Sequence, residues 1–138
     1  MLECLIMGDS IAVGISQLRK ECTAIVQKSI SSANYLKKFT TFEPTKVAVI
    51  SLGMNDNKID TKANVEAIRK KVKADHVFWI LPIEKRKPDE FKIVQAVAAA
   101  HGDTVIVRND ANTSPDGVHP TAKGYKELAD KTKVAAKK

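Results

Sequence analysis

Apolar residues along the chain gather in five short continuous runs, at residues 2–7, 24–27, 46–52, 76–81 and 104–107. The runs are too short for buried helices and lack the alternating polar positions of half-exposed strands, so they read as strands covered on both faces. The stretches between them carry helical spacing instead. Val65, Ile68 and Val72 recur at i, i+3 and i+7 behind an Asp60–Thr61 cap. Phe91, Val94 and Ala98 repeat the pattern behind Pro88, with Asp89 and Glu90 in the first turn and Gly102 at the close. A last helix is expected after Pro120, with Tyr125, Leu128 and Ala129 on one side, and residues 11–20 and 32–39 supply the first two. Strand and helix alternating through the whole chain predict an α/β fold, a parallel sheet with helices on both faces. In such folds ligands bind beyond the carboxyl ends of the strands, which is where chemistry should be sought.

The length of 138 residues suits one domain spanning 1–138, with a Lys/Ala-rich end at 131–138 expected to fray. No run reaches the roughly 20 apolar residues of a membrane span, and the opening residues 1–7 are too brief for a signal h-region. The chain therefore reads as cytoplasmic as encoded, with secreted or virion-associated action as the alternative. Cys4 and Cys22 do not amount to a disulfide framework or a zinc motif. Cys4 is expected to be a small buried apolar residue, Cys22 lacks a base that would make it a nucleophile, and nothing demands an oxidising compartment. The formal charge is +7, dispersed through Lys37–Lys38, Arg69–Lys73, Lys85–Lys87 and Lys137–Lys138. Dispersion of this kind suits solvated helix faces, and it also leaves room for an anionic polymer as partner.

Residues able to do chemistry follow most of the strands. Gly8-Asp9-Ser10 follows the first, Ser29-Ile30-Ser31-Ser32 the second, Gly53-Met54-Asn55-Asp56 the third, and Asp116-Gly117-Val118-His119-Pro120 the fifth and its loop. Each alone is ordinary turn or capping sequence. The Gly-Asp-Ser, Gly-x-Asn-Asp and Asp-x-x-His-Pro segments, in this order and each at a strand end, should coincide by chance on the order of once in 10⁴ chains. A serine hydroxyl needs a base within hydrogen-bond reach and donors aimed at the oxyanion that forms. Ser10, at a strand-to-helix turn, is the candidate nucleophile, and its own N–H sits at a helix N-terminus that favours an anion. His119 would take the Ser10 proton through Nε2 while Asp116 accepts from Nδ1. Asn55 can offer its side-chain NH₂ to the oxyanion, and Asp9 is expected to support the Ser10 turn. For a strand order of 2-1-3-4-5, the fifth strand lies roughly 14 Å from the first, and residues 108–119 span up to roughly 40 Å, so His119 can reach Ser10.

These segments resemble a known family. GDSIAVG at 8–14 looks like block I of the SGNH or GDSL hydrolases, GMND at 53–56 like block III and DGVHP at 116–120 like block V, over nearly the whole chain. The resemblance implies a three-layer α/β/α, flavodoxin-like domain with a five-stranded parallel sheet, working without a metal or organic cofactor. It implies hydrolysis of esters, with Ser10 as nucleophile, Asp116 and His119 completing a triad, Asn55 as oxyanion donor and Gly53 supporting it. The family's second backbone oxyanion donor is usually a glycine after the second strand. Ser32 is the best match here and Ser29 the rival, so the easy positive φ of glycine is missing.

With brief connections, no aromatic-rich lid and aromatic residues at 5%, the site is expected to be shallow and open. That suits a small acyl group on a large polar alcohol, such as acetyl on a glycan or peptidoglycan sugar. Compact phage- and prophage-type members of the family point the same way. A lysophospholipase or thioesterase is the alternative, and a catalytically weak module binding an anionic polymer is another. His76, His101, Phe78 and Trp79 are expected to be structural, and Lys85-Arg86-Lys87 either lines the rim or forms a solvated loop. Oligomeric state has no signature in the sequence.

Overall fold

The structure, a computed structural model, describes residues 1–57, 59–108 and 112–133. Five strands, β1 (Leu2–Gly8), β2 (Thr23–Val26), β3 (Thr45–Ser51), β4 (Ala74–Ile80) and β5 (Thr104–Ile106), alternate with five helices. The helices are α1 (Ser10–Leu18), α2 (Ser32–Lys38), α3 (Thr61–Lys71), α4 (Pro88–Ala100) and α5 (Ala122–Lys131). All strand pairs are parallel, in the order β2-β1-β3-β4-β5. The expected order and layering are therefore present, with boundaries shifted by one or two residues. Of the tail expected to fray at 131–138, Lys131 instead closes α5 and Thr132 is buried, while 134–138 lie outside the described residues.

The continuous apolar runs have the predicted cause. Alternate residues of each central strand feed two separate cores. Leu5, Met7, Ala48, Ile50, Val77 and Trp79 face one core with Tyr35, Val65, Ile68 and Val94 of α2, α3 and α4. Ile6, Val49, Phe78 and Ile80 face the other with Ile11, Ile15 and Leu128 of α1 and α5. Each large side chain buried this way contributes about 1.5–3 kcal/mol. Trp79 also donates its indole N–H to Asp103 Oδ2 at 2.9 Å, and Asp103 receives Arg69 at 2.7 and 2.9 Å, so the buried polar atoms at that end are satisfied. His76 pairs with Thr104 and His101 with Glu66, both away from the strand ends that carry the candidate site.

Two expectations need correction. Asp60 stands at the N-cap of α3 with φ 60° and makes no side-chain capping bond; Thr61 instead donates to Asp56 Oδ2 at 2.9 Å. Cys4 and Cys22 are not free thiols, because β1 and the turn before β2 bring their Cα atoms to 4.8 Å and they form a disulfide. The two cysteines are 18 positions apart with all of α1 between them, so this proximity is tertiary and no local spacing announces it. Among the described residues no helix is long and apolar enough to cross a membrane.

Candidate active site

The site is assembled at the carboxyl edge of the sheet, beginning where β1 turns into α1. Gly8 has φ 132°, and a Cβ there would sit 2.0 Å from the Ser51 carbonyl oxygen, so only glycine lets β1 lie this close to β3 at the turn. Asp9 is the N-cap of α1. Its Oδ1 accepts the Ile11 N–H and the Ser51 hydroxyl, both at 3.1 Å. Ser10 is thereby fixed as the first residue of α1, at the positive end of the helix dipole. Asp9 is fully buried, and burial pushes its carboxyl up to about 6, against the pull of Ser51, the helix amides and the charge of Arg108.

The other half of the site is a loop closed on itself. The Ser114 N–H donates to the His119 carbonyl at 2.8 Å, the Thr121 N–H to Asn112 O at 2.8 Å, and Thr113 bridges Pro120. Inside this loop Asp116 takes four hydrogen bonds. Oδ1 accepts from Ser114 Oγ at 2.8 Å and from the amides of Val118 and His119 at 2.8 and 2.9 Å, and Oδ2 accepts from His119 Nδ1 at 2.8 Å. The His119 bond first, then the amides, hold this carboxyl well below the usual range, so it is ionised. An ionised carboxylate only accepts, which places the proton on His119 Nδ1 and leaves Nε2 as an acceptor in the neutral ring. Nε2 lies 2.9 Å from Ser10 Oγ. Ser10, His119 and Asp116, distant in sequence, thus form one continuous hydrogen-bonded chain.

Arg108 is the residue that sequence reading missed. It is buried after β5, donates through Nη2 to the Val118 carbonyl next to His119, and its charge acts on Asp9 and on Tyr125. No motif contains it, and a lone arginine after a strand carries no signal. Tyr125, expected only as core, is half-buried beside Ser10 and His119. Burial raises the pKa of its phenol, which stays a hydrogen-bond donor at neutral pH.

The expected oxyanion residues fare unequally. Asn55 is exposed after β3, and its Nδ2 donates one hydrogen to Ile30 O at 3.1 Å, leaving the second available. Gly53, with φ 113°, packs against Pro82 at the start of that turn. Ser32 is buried. Its N–H donates to Asp56 Oδ1 at 2.8 Å and its hydroxyl to Asp56 Oδ2, so this amide is spent on holding α2 to the β3 turn and is not free for an oxyanion. Ser29 takes the positive φ, 59°, without being glycine, a conformation costing about 1–2 kcal/mol.

Beside Ser10 a groove of about 480 Å³ opens between α1 and α5, lined by Val13, Leu18, Ala122 and Tyr125 with Lys28 at the rim. On the far side of the loop, a Cβ at Gly117 would lie 3.0 Å from Arg86 Nη1, so that guanidinium rests over the turn between Asp116 and His119. Lys87 is committed to the Asp56 carbonyl. Cys4, Glu21 and Cys22 also bring three potential metal-binding atoms together, but both sulfurs are spent in the disulfide and the group is remote from Ser10.

No protein-family profile matches the chain, and no curated protein does either. Solved structures do. A GDSL-like lipase from Bacteroides thetaiotaomicron superposes with a TM-score of 0.66 at 19% identity, covering 94% of this chain and 84% of that one. A proposed acylhydrolase from Bacteroides fragilis gives 0.66 at 18% identity, covering 94% and 83%. The fold is that of the GDSL-type hydrolases. Within a GDSL-type fold, the hydrogen-bonded chain Ser10–His119–Asp116 occupies the carboxyl edge of the parallel sheet, where folds of this architecture bind ligands.

Proposed function

We propose that this chain is a serine esterase of the SGNH or GDSL type. The observation that carries the reading is the 2.9 Å contact of Ser10 Oγ with His119 Nε2, backed by the 2.8 Å contact of Nδ1 with ionised Asp116. In the reaction His119 takes the Ser10 proton as Oγ bonds to the ester carbonyl carbon. The oxyanion is received by the Ser10 N–H at the start of α1 and the second Nδ2 hydrogen of Asn55. His119 then gives its proton to the leaving alcohol, and water, activated by the same imidazole, hydrolyses the acyl-enzyme.

An open site favours a small acyl group on a large polar alcohol, with acetyl esters of a glycan or peptidoglycan the leading class. The side chains of His119 and Asp116 are 43% and 51% exposed, which supports an open site. The Cys4–Cys22 bond favours work in an oxidising compartment rather than a reducing cytosol. A second reading, a catalytically weak module binding an anionic polymer, draws on the spent amide of Ser32, since losing one oxyanion donor costs about 10²–10³ in turnover.

A fluorophosphonate probe with intact-mass readout separates the two readings. The esterase should add one phosphonyl group at Ser10, lost in Ser10→Ala, and should hydrolyse p-nitrophenyl acetate faster than the laurate. Folded protein that neither labels nor exceeds the Ser10→Ala background supports the binding module. An optimum at long acyl chains moves the substrate to lysophospholipids or thioesters.

A further inference from the structure

The groove between α1 and α5 is unexplained by the reaction itself. It begins at Ser10 and His119 and runs over Val13, Gly14 and Gln17 of α1, with Ala122 and Tyr125 of α5 as the facing wall. A Cβ at Gly14 would come within 2.2 Å of the Tyr125 ring, so glycine at this position is what lets the ring pack closely on α1 and form the wall. Leu18, an exposed leucine, and Lys28, an exposed lysine in the turn after β2, stand at the outer end. Among the described residues the lining holds no carboxylate.

Stereochemistry decides which part of an ester enters. The carbonyl oxygen must point at the Ser10 N–H and at Asn55, which stands at the end of β3 and does not line the groove. The leaving oxygen must point at His119 Nε2, which protonates it, and His119 does line the groove. The alcohol side of the substrate therefore leaves the reacting carbon in the direction of α1 and α5. There it meets a wall of apolar side chains, the Tyr125 hydroxyl as a neutral donor, and the Lys28 ammonium at the rim.

We infer that the α1–α5 groove is the subsite for the alcohol portion of the ester, and that this alcohol carries a negative charge which Lys28 receives. The inference rests on the esterase reading above. It narrows the substrate class to esters of anionic alcohols, such as an acetylated acidic sugar, and it gives part of the basic surface a task at the site.

Two esters with the same acetyl group test it: 4-acetoxybenzoate, whose alcohol side is anionic, and its neutral methyl ester. The readout is the ratio of their kcat/KM values, anionic over neutral, compared between wild type and variants so that intrinsic reactivity cancels. One exposed ion pair changes an equilibrium by about 1.4- to 5-fold, and reversing its sign compounds the factor, so Lys28→Glu should lower the ratio by about 3- to 20-fold. Lys28→Arg should keep it, and Lys92→Glu, on exposed α4 across the sheet, should change it little. Salt raised to about 1 M, where charges are screened within about 3 Å, should shrink the wild-type preference. A ratio unchanged in Lys28→Glu, with Ser10-dependent turnover of both esters intact, overturns the subsite alone. Absence of Ser10-dependent turnover for either ester overturns the esterase reading and the subsite with it.

Discussion

Asp9 makes the stability of this protein depend on pH in the direction opposite to that of most carboxylates. In the unfolded chain its carboxyl ionises near the ordinary value of 3.8; in the fold, burial raises that to about 6. Between these values the folded protein holds a proton that the unfolded chain has lost, so stability falls as pH rises through the interval and is level above it. Each decade is worth about 1.36 kcal/mol, which makes the full loss about 3 kcal/mol, a large part of a typical 5–15 kcal/mol. Asp116, Asp130 and Glu21 are shifted downward, so their contributions are present above their ordinary values and vanish only toward lower pH. Asp9→Asn isolates the buried group, because an amide oxygen can still accept from Ile11 and Ser51 while carrying no charge. Urea unfolding followed by Trp79 fluorescence, between about pH 4 and about pH 7, should show wild type losing about 2–3 kcal/mol more than Asp9→Asn across the interval. Parallel stability curves for the two proteins would refute the argument that burial, rather than the nearby Arg108, governs this carboxyl.

Four shorter expectations accompany it. His119→Ala should lower ester turnover by several orders of magnitude with little change in melting temperature, and Asp116→Asn should cost about 10⁴ through the wrong tautomer; near wild-type rates in both would dissolve the triad. Reducing the Cys4–Cys22 bond opens a loop of 18 residues, worth about 3 kcal/mol, so the melting temperature should drop by about 10 °C in thermal scans with and without reductant. Asp56→Ala should strip acceptors from the Ser32 amide and the Ser32 and Thr61 hydroxyls and destabilise by about 2–4 kcal/mol in denaturant titration. Arg108→Met should cut kcat more than it raises KM for p-nitrophenyl acetate, because the Val118 carbonyl loses its donor beside His119.

The layered fold was legible because its cause is one-dimensional. A strand covered on both faces must be apolar at successive positions, and Leu5, Ile6 and Met7 divide between two cores just as that rule requires. Ser10, Asp116 and His119 were legible for a related reason, since each sits in a short segment whose neighbours fix its local geometry: Asp9 caps the helix that carries Ser10, and Asp116 binds the backbone of His119 three residues on. The disulfide was not, because neither cysteine has a local pattern and their proximity depends on how α1 returns the chain. Ser32 misled for the same reason. Its match to a glycine position says where it lies along the chain, while the fate of its amide depends on Asp56, 24 residues away.

Arg108 shows what separates these cases. The turn that carries Ser10 and the loop that carries Asp116 and His119 are each locally specified, but their mutual placement is not, and the buried Arg108 sits where they meet. Its guanidinium supports the carbonyl next to His119 and acts electrostatically on the carboxylate that caps the helix of Ser10. Both groups are buried, and the charge of Arg108 favours the ionised form of Asp9, though less strongly than burial opposes it. Because Asp9 follows β1 and Arg108 follows β5, their nearness appears only once the sheet has placed those strands at fixed distances. Local sequence can therefore nominate Ser10, Asp116 and His119, while the buried cation between their segments is visible only in three dimensions.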